Sequence, residues 1–244
     1  MKTLQNTWRT YWPLVLPLVL APFIYWIFEA TPLDRVLIGW YYDPHAHMFP
    51  LRDSPFMQNV MHTGLKMAMI AVGVVVLGAF VMTFIRPQWQ PHRRRLLWLF
   101  VAMVCGPLLV SVLKSTSTLY CPWDLIDYGG SAPFHALFER LPAGIAPGKC
   151  FPGGHASGGF ALMAVYFAWR DTHARFARTF LLIGLAAGML MGWAQMMRGA
   201  HFLSHNVWSA WVVWVFLAVF YYLLPPHPVR RAIAADDEAV ARVA

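Results

Sequence analysis

The sequence predicts an all-α fold, a bundle of six transmembrane helices. Two observations carry that prediction. The 244 residues are 59% hydrophobic and only 12% charged, with a mean hydropathy of +0.50, whereas soluble domains carry about 25% charged residues. The apolar residues also fall in runs that can cross a hydrocarbon core, which takes about 20 residues of helix. The 12 Trp suit the aromatic belts of a membrane protein.

The first run, "YWPLVLPLVLAPFIYWIFEA", fills 11–30. Lys2 and Arg9 precede it as in a secretory signal. The run is longer than a signal's apolar core and five more follow, so an uncleaved first span is expected. The second span covers 64–85. The third is "LLWLFVAMVCGPLLVSVL", 96–113. The fourth, 155–169, is short and opens on polar residues. The fifth and sixth are "TFLLIGLAAGMLMGWAQMM", 179–197, and "NVWSAWVVWVFLAVFYYLL", 206–224. All 244 residues then form one integral membrane domain, with a polar tail at 225–244 that frays.

Basic residues orient the bundle. The stretches 1–10, 86–95, 170–178 and 225–244 hold 2, 4, 3 and 3 Lys or Arg, 12 of the 19. Both termini and the "RPQWQPHRRR" loop are therefore expected in the cytoplasm of a bacterial inner membrane. The net charge of +8 becomes a topology signal facing anionic lipid, not a nucleic-acid footprint. The periplasmic side receives 31–63, 114–154 and 198–205.

Ionisable residues at the ends of spans are functional candidates, and here they share that outer side. Lys114 ends span three, His155 opens span four, and Arg198, His201 and His205 lie between spans five and six. A lone Lys or Arg at an interface is usually a snorkelling anchor, but joint placement on one face asks for a shared ligand. Cations beside the amides of a Gly-Gly-His turn ahead of a helix suit a phosphate. Two histidines can divide the work: one attacks phosphorus, the other protonates the leaving oxygen and then activates water. Cations can neutralise the phosphoryl oxygens, so no cofactor or metal is needed.

These residues resemble the type 2 phosphatidic acid phosphatase (PAP2) superfamily. Its pattern runs K-x6-R-P, then P-S-G-H, then S-R-x5-H-x3-D. Here the three parts read "KSTSTLYCP" from Lys114 to Pro122, "PGGH" from Pro152 to His155, and "GAHFLSH" from Gly199 to His205. The resemblance implies His201 as nucleophile and His155 as general acid. It implies phosphate binding by Lys114 and by the amides of Gly153 and Gly154. The chain departs from the pattern where Cys121 stands for Arg, Gly153 for Ser, Gln195 for Arg and His205 for Asp. Arg198, one turn from Gln195, can supply the missing guanidinium. His205 can accept the His201 Nδ1–H as a neutral ring, orienting it without a carboxylate's stabilisation of the imidazolium. Asp124 or Asp127 stepping in stays open. A second register makes His205 the nucleophile with Arg198 seven residues before it. A third reading takes His201-x3-His205 with His155 as a three-histidine metal site.

Cys121 and Cys150 both fall in the long outer segment, where disulfides persist. A Cys121–Cys150 bridge is expected, with two free thiols as the alternative; Cys105 lies inside span three. The resemblance thus implies a metal-independent membrane lipid phosphatase acting through a phosphohistidine. Its substrate would be a polyprenyl pyrophosphate, a lipid A phosphate or a phosphatidylglycerol phosphate. The alternatives are a lipid phosphotransferase using the same site and a non-catalytic phospholipid-binding membrane protein. Oligomeric state is not legible.

Overall fold

Five helices in the computed structural model are long and apolar enough to cross a membrane, the mark of a membrane protein: Tyr11–Ala30, Phe56–Ile85, Pro87–Thr116, Ala174–Met197 and Leu203–Leu223. The structure describes residues 2–141 and 144–227. From residue 228 on, the expected tail at 225–244 lies outside them. The described residues form no strand, and the chain is all-α. In chain order the helices are α1 (Lys2–Ala30), α2 (Leu33–Gly39), α3 (Leu65–Ile85), α4 (Arg93–Thr116), α5 (Gly154–Phe160), α6 (Met163–Trp169), α7 (Ala174–Met197) and α8 (Leu203–Leu223). A π-helical segment, Phe56–Gly64, runs directly into α3. The second span therefore starts earlier than the sequence suggests, because Gln58, Asn59 and His62 hide its first turns.

The expected fourth span differs most. Residues 154–169 form two seven-residue helices, α5 and α6. The backbone stays helical through Ala161 and Leu162, tightened by i→i+3 bonds from Leu162 N–H to Gly159 O and from Val165 N–H to Leu162 O. Ala156, Phe160, Met163, Ala164 and Phe167 are fully buried. Buried along most of its length, this pair is the bundle's centre, packed against α4, α7 and α8. A Cβ on Gly159 would lie 2.5 Å from the Gly188 amide nitrogen, so α5 and α7 meet backbone to backbone as small-residue membrane interfaces do.

The periphery is the inverse of a soluble surface. Leu18, Val75, Leu182 and Leu223 are exposed; such a surface aggregates in water and is at home in hydrocarbon. At one end the segment between α1 and α3 closes over the bundle. Phe49 and Ile38 pack there with Leu125, Tyr128, Met196 and Phe202. Asp34 accepts the Ser204 amide at 2.9 Å, in the first turn of α8, where a helix welcomes a carboxylate. Burial, only partly offset by those bonds, pushes Asp34 up to about 6.

Candidate active site

Five chain regions converge at that end. Lys114 sits in the last turn of α4, His155 in the first turn of α5, and Arg198 just past α7. His201 lies in the turn joining α7 to α8, and His62 near the end of the π-helical segment. All line one cavity of about 810 Å³, with Lys66, Gly154 and Gln195.

His201 is 4% exposed. Its Nδ1 lies 3.2 Å from His205 Nδ1 and 3.5 Å from Cys150 Sγ. Cys150 is joined to Cys121 in a disulfide. The turn that presents His201 rests on Gly199, whose φ of +73° lies in the left-handed region and whose Cβ would lie 2.3 Å from Phe49. Burial, then the charges of His205, Lys114 and His155, push His201 well below the ordinary histidine range. It is therefore a neutral imidazole at neutral pH.

His155 is held on two sides. Its Nε2 bonds the Met61 carbonyl at 3.3 Å, and its ring stacks on His62 with centroids 4.5 Å apart and planes 17° apart. The Lys114 stem lies 3.6 Å from where a Gly154 Cβ would be. Arg198 donates from Nε to the Arg52 carbonyl at 3.0 Å and from Nη1 to Gln195 Oε1 at 3.2 Å. The buried Gln195 Nε2 has no hydrogen-bond partner among the described residues. Gln195 itself lines the cavity.

Gly153 requires a correction. Its amide is not free for phosphate: the N–H donates to the His205 carbonyl at 2.9 Å, and Ser209 donates to its carbonyl at 2.7 Å. Nor does Gly153 line the cavity. A Cβ there would lie 2.6 Å from Asn206 Oδ1, so this residue is a glycine because α8 presses on it. Gly153→Ser, which restores the serine of the resembling pattern, is expected to lower stability by about 1–3 kcal/mol, as overpacking does. Thermal unfolding in detergent reads this; an unchanged midpoint would mean α8 yields at that point.

Arg198 and Gln195 stand in the cavity beside one another, as spacing suggested. His205 touches His201 but lines a separate cavity of about 280 Å³, which disfavours it as nucleophile. Asp124 and Asp127 line neither cavity. The three-histidine metal site does not assemble. Among the described residues the one group of metal-ligating atoms in mutual reach is Cys121, Cys150 and His201, and its two sulfurs are bonded to each other. Sequence reasoning missed His62 and Lys66. The signal was a His and a Lys four residues apart at the head of a span, obscured by starting that span at Gly64.

A family model described as the PAP2 superfamily matches residues 95–227, more than half of the chain. No curated protein and no solved structure matches it.

Proposed function

Since the chain belongs to the PAP2 superfamily, we propose that it is a phosphatase of phosphorylated membrane lipids, working through a phosphohistidine on His201. The shape of the cavity carries this reading. One end holds Lys114, Arg198, His155 and His201; from there it runs between α3 and α4 along Met69, Ile70, Val74, Leu77, Met103 and Pro107. From Lys66 to Leu77 is about 16 Å of helix at 1.5 Å per residue. A cationic head with an apolar trough suits a phosphate carrying a lipid tail.

His201 Nδ1 is engaged by His205, which leaves Nε2 for attack on phosphorus. Lys114, Arg198 and the Gln195 amide would hold the phosphoryl oxygens, and His155 would protonate the leaving oxygen. Water, deprotonated by His155, then releases phosphate. The distribution of basic residues supports one integral domain of six spans in a bacterial inner membrane, counting α5 and α6 together as one. Both termini would be cytoplasmic and the site periplasmic.

A phosphate-release panel tests the reading, using polyprenyl pyrophosphate, lipid A phosphate and phosphatidylglycerol phosphate with and without chelator. Turnover of at least one lipid, unchanged by EDTA, is expected. Release only when an acceptor lipid is present would point to a phosphotransferase. Binding without turnover would overturn the enzyme reading, and loss in EDTA the metal-independent mechanism.

A further inference from the structure

We infer that the turn His62–Lys66 is a further working part of this site: Lys66 binds the substrate phosphate, and His62 is a positioning residue that shares a proton with His155. The inference deepens the phosphatase reading and rests on it. These two residues lie outside the matched stretch 95–227. They occupy one helical face, four residues apart, and both line the cavity with Lys114, Arg198 and His201.

The motif departures leave a gap that Lys66 can fill. Where the family pattern has Arg, this chain has Cys121, which lines the cavity as half of a disulfide and brings no charge. Lys66 lines the same cavity, is exposed, and is not paired to a carboxylate among the described residues. A phosphate held by Lys114 and Arg198 therefore meets a third cation from α3.

His62 meets His155 differently. The two rings lie nearly parallel at 4.5 Å, and the neighbouring Met61 carbonyl takes the His155 Nε2–H. One short segment thus fixes both the face and the edge of the proton donor. Two imidazolium rings this close repel, so the pair holds one proton and titrates as a unit. Lys66 from the same helix, Lys114 from α4 and Arg198 beyond α7 share the cavity with the two rings, so a bound phosphate dianion is what would favour the pair's single proton.

The step then balances. His201 Nε2 forms the N–P bond as the P–O bond breaks, and the leaving oxygen takes the proton held by the pair. Water returns that proton as its oxygen bonds phosphorus and the N–P bond breaks. Water is the only co-reactant.

The test uses the full chain in detergent, with polyprenyl pyrophosphate, lipid A phosphate and phosphatidylglycerol phosphate as substrates and orthovanadate binding read by tryptophan fluorescence. Lys66→Ala is expected to raise KM and weaken orthovanadate on the order of 10-fold, the scale of one charged hydrogen bond. Its kcat should hold within about threefold, and Lys66→Arg should restore KM. His62→Ala should lower kcat about 10-fold and move the upper limb of the kcat pH profile to higher pH. His62→Phe, which keeps a ring on His155 but no proton, should move that limb the same way; a merely structural role would leave it in place. If Lys66→Ala and His62→Ala both leave KM, kcat and the pH profile unchanged while His201→Ala is inactive, the inference falls and the phosphatase reading stands. If the wild-type chain releases no phosphate, that reading falls. The orthovanadate arm then decides: equal binding by Lys66→Ala overturns the inference and a 10-fold loss supports the binding role of Lys66.

Discussion

Replacing His201 with alanine is expected to reduce phosphate release by at least about 10⁴-fold, because the covalent route disappears with its only nucleophile. Orthovanadate binding should persist, since Lys114 and Arg198 remain. His205→Ala should cost less, about 10- to 100-fold: a neutral partner fixes a ring and its tautomer but contributes little charge stabilisation. The double variant should be no worse than His201→Ala alone, because the two rings act as a unit. The pH dependence follows from the sign of the His201 shift. Protonation destroys the nucleophile, and burial holds that protonation well below the ordinary value of 6.5. Activity should therefore survive as pH falls through 6.5 and fail only through the depressed value. An acid limb of kcat/KM at 6.5 would show that the imidazole is not buried as described. His201→Ala with undiminished turnover would remove the phosphohistidine altogether.

Much of this molecule was legible as pattern. Apolar run length located five of the spans because nothing but hydrocarbon tolerates so much exposed Leu, Val and Phe. The fourth was ambiguous for a physical reason: most of its residues are buried in the bundle, so apolar content could not distinguish a lipid-facing span from a core. At the site, spacing placed Lys114, His155, Arg198 and His201 on one face, and they line one cavity. Spacing misled at Gly153. A glycine before a histidine fits both a phosphate turn and a close helix contact, and only the distance to Asn206 separates them. His62 was hidden because Gln58, Asn59 and His62 itself break the apolar run, so the second span reads as starting at Gly64, while its helix begins in the π-helical segment before it.

Removing the Cys121–Cys150 bridge should have the second-largest effect, and it should act on stability and chemistry together. The bridge joins cysteines 29 residues apart, a loop whose closure is worth about 3–4 kcal/mol on the chain-entropy account. It also connects the two stretches that carry Lys114 and His155, beside His201 Nδ1. Backbone bonds reinforce the junction: the Gly148, Lys149 and Cys150 amides donate to the Thr118, Ser117 and Leu119 carbonyls, Trp123 N–H to the Gly199 carbonyl at 3.0 Å, and Gly153 N–H to the His205 carbonyl at 2.9 Å. The double Cys121→Ser, Cys150→Ser variant should unfold at lower temperature in detergent. Its kcat should fall about 10-fold or more even well below its melting point, because a site loosened by about an ångström loses orientation. Reductant should reproduce the kinetic loss in the wild-type chain, with mass spectrometry confirming two free thiols. If stability falls and kcat does not, the bridge serves only the fold. The backbone bonds across the junction then suffice to hold His201 against the phosphate.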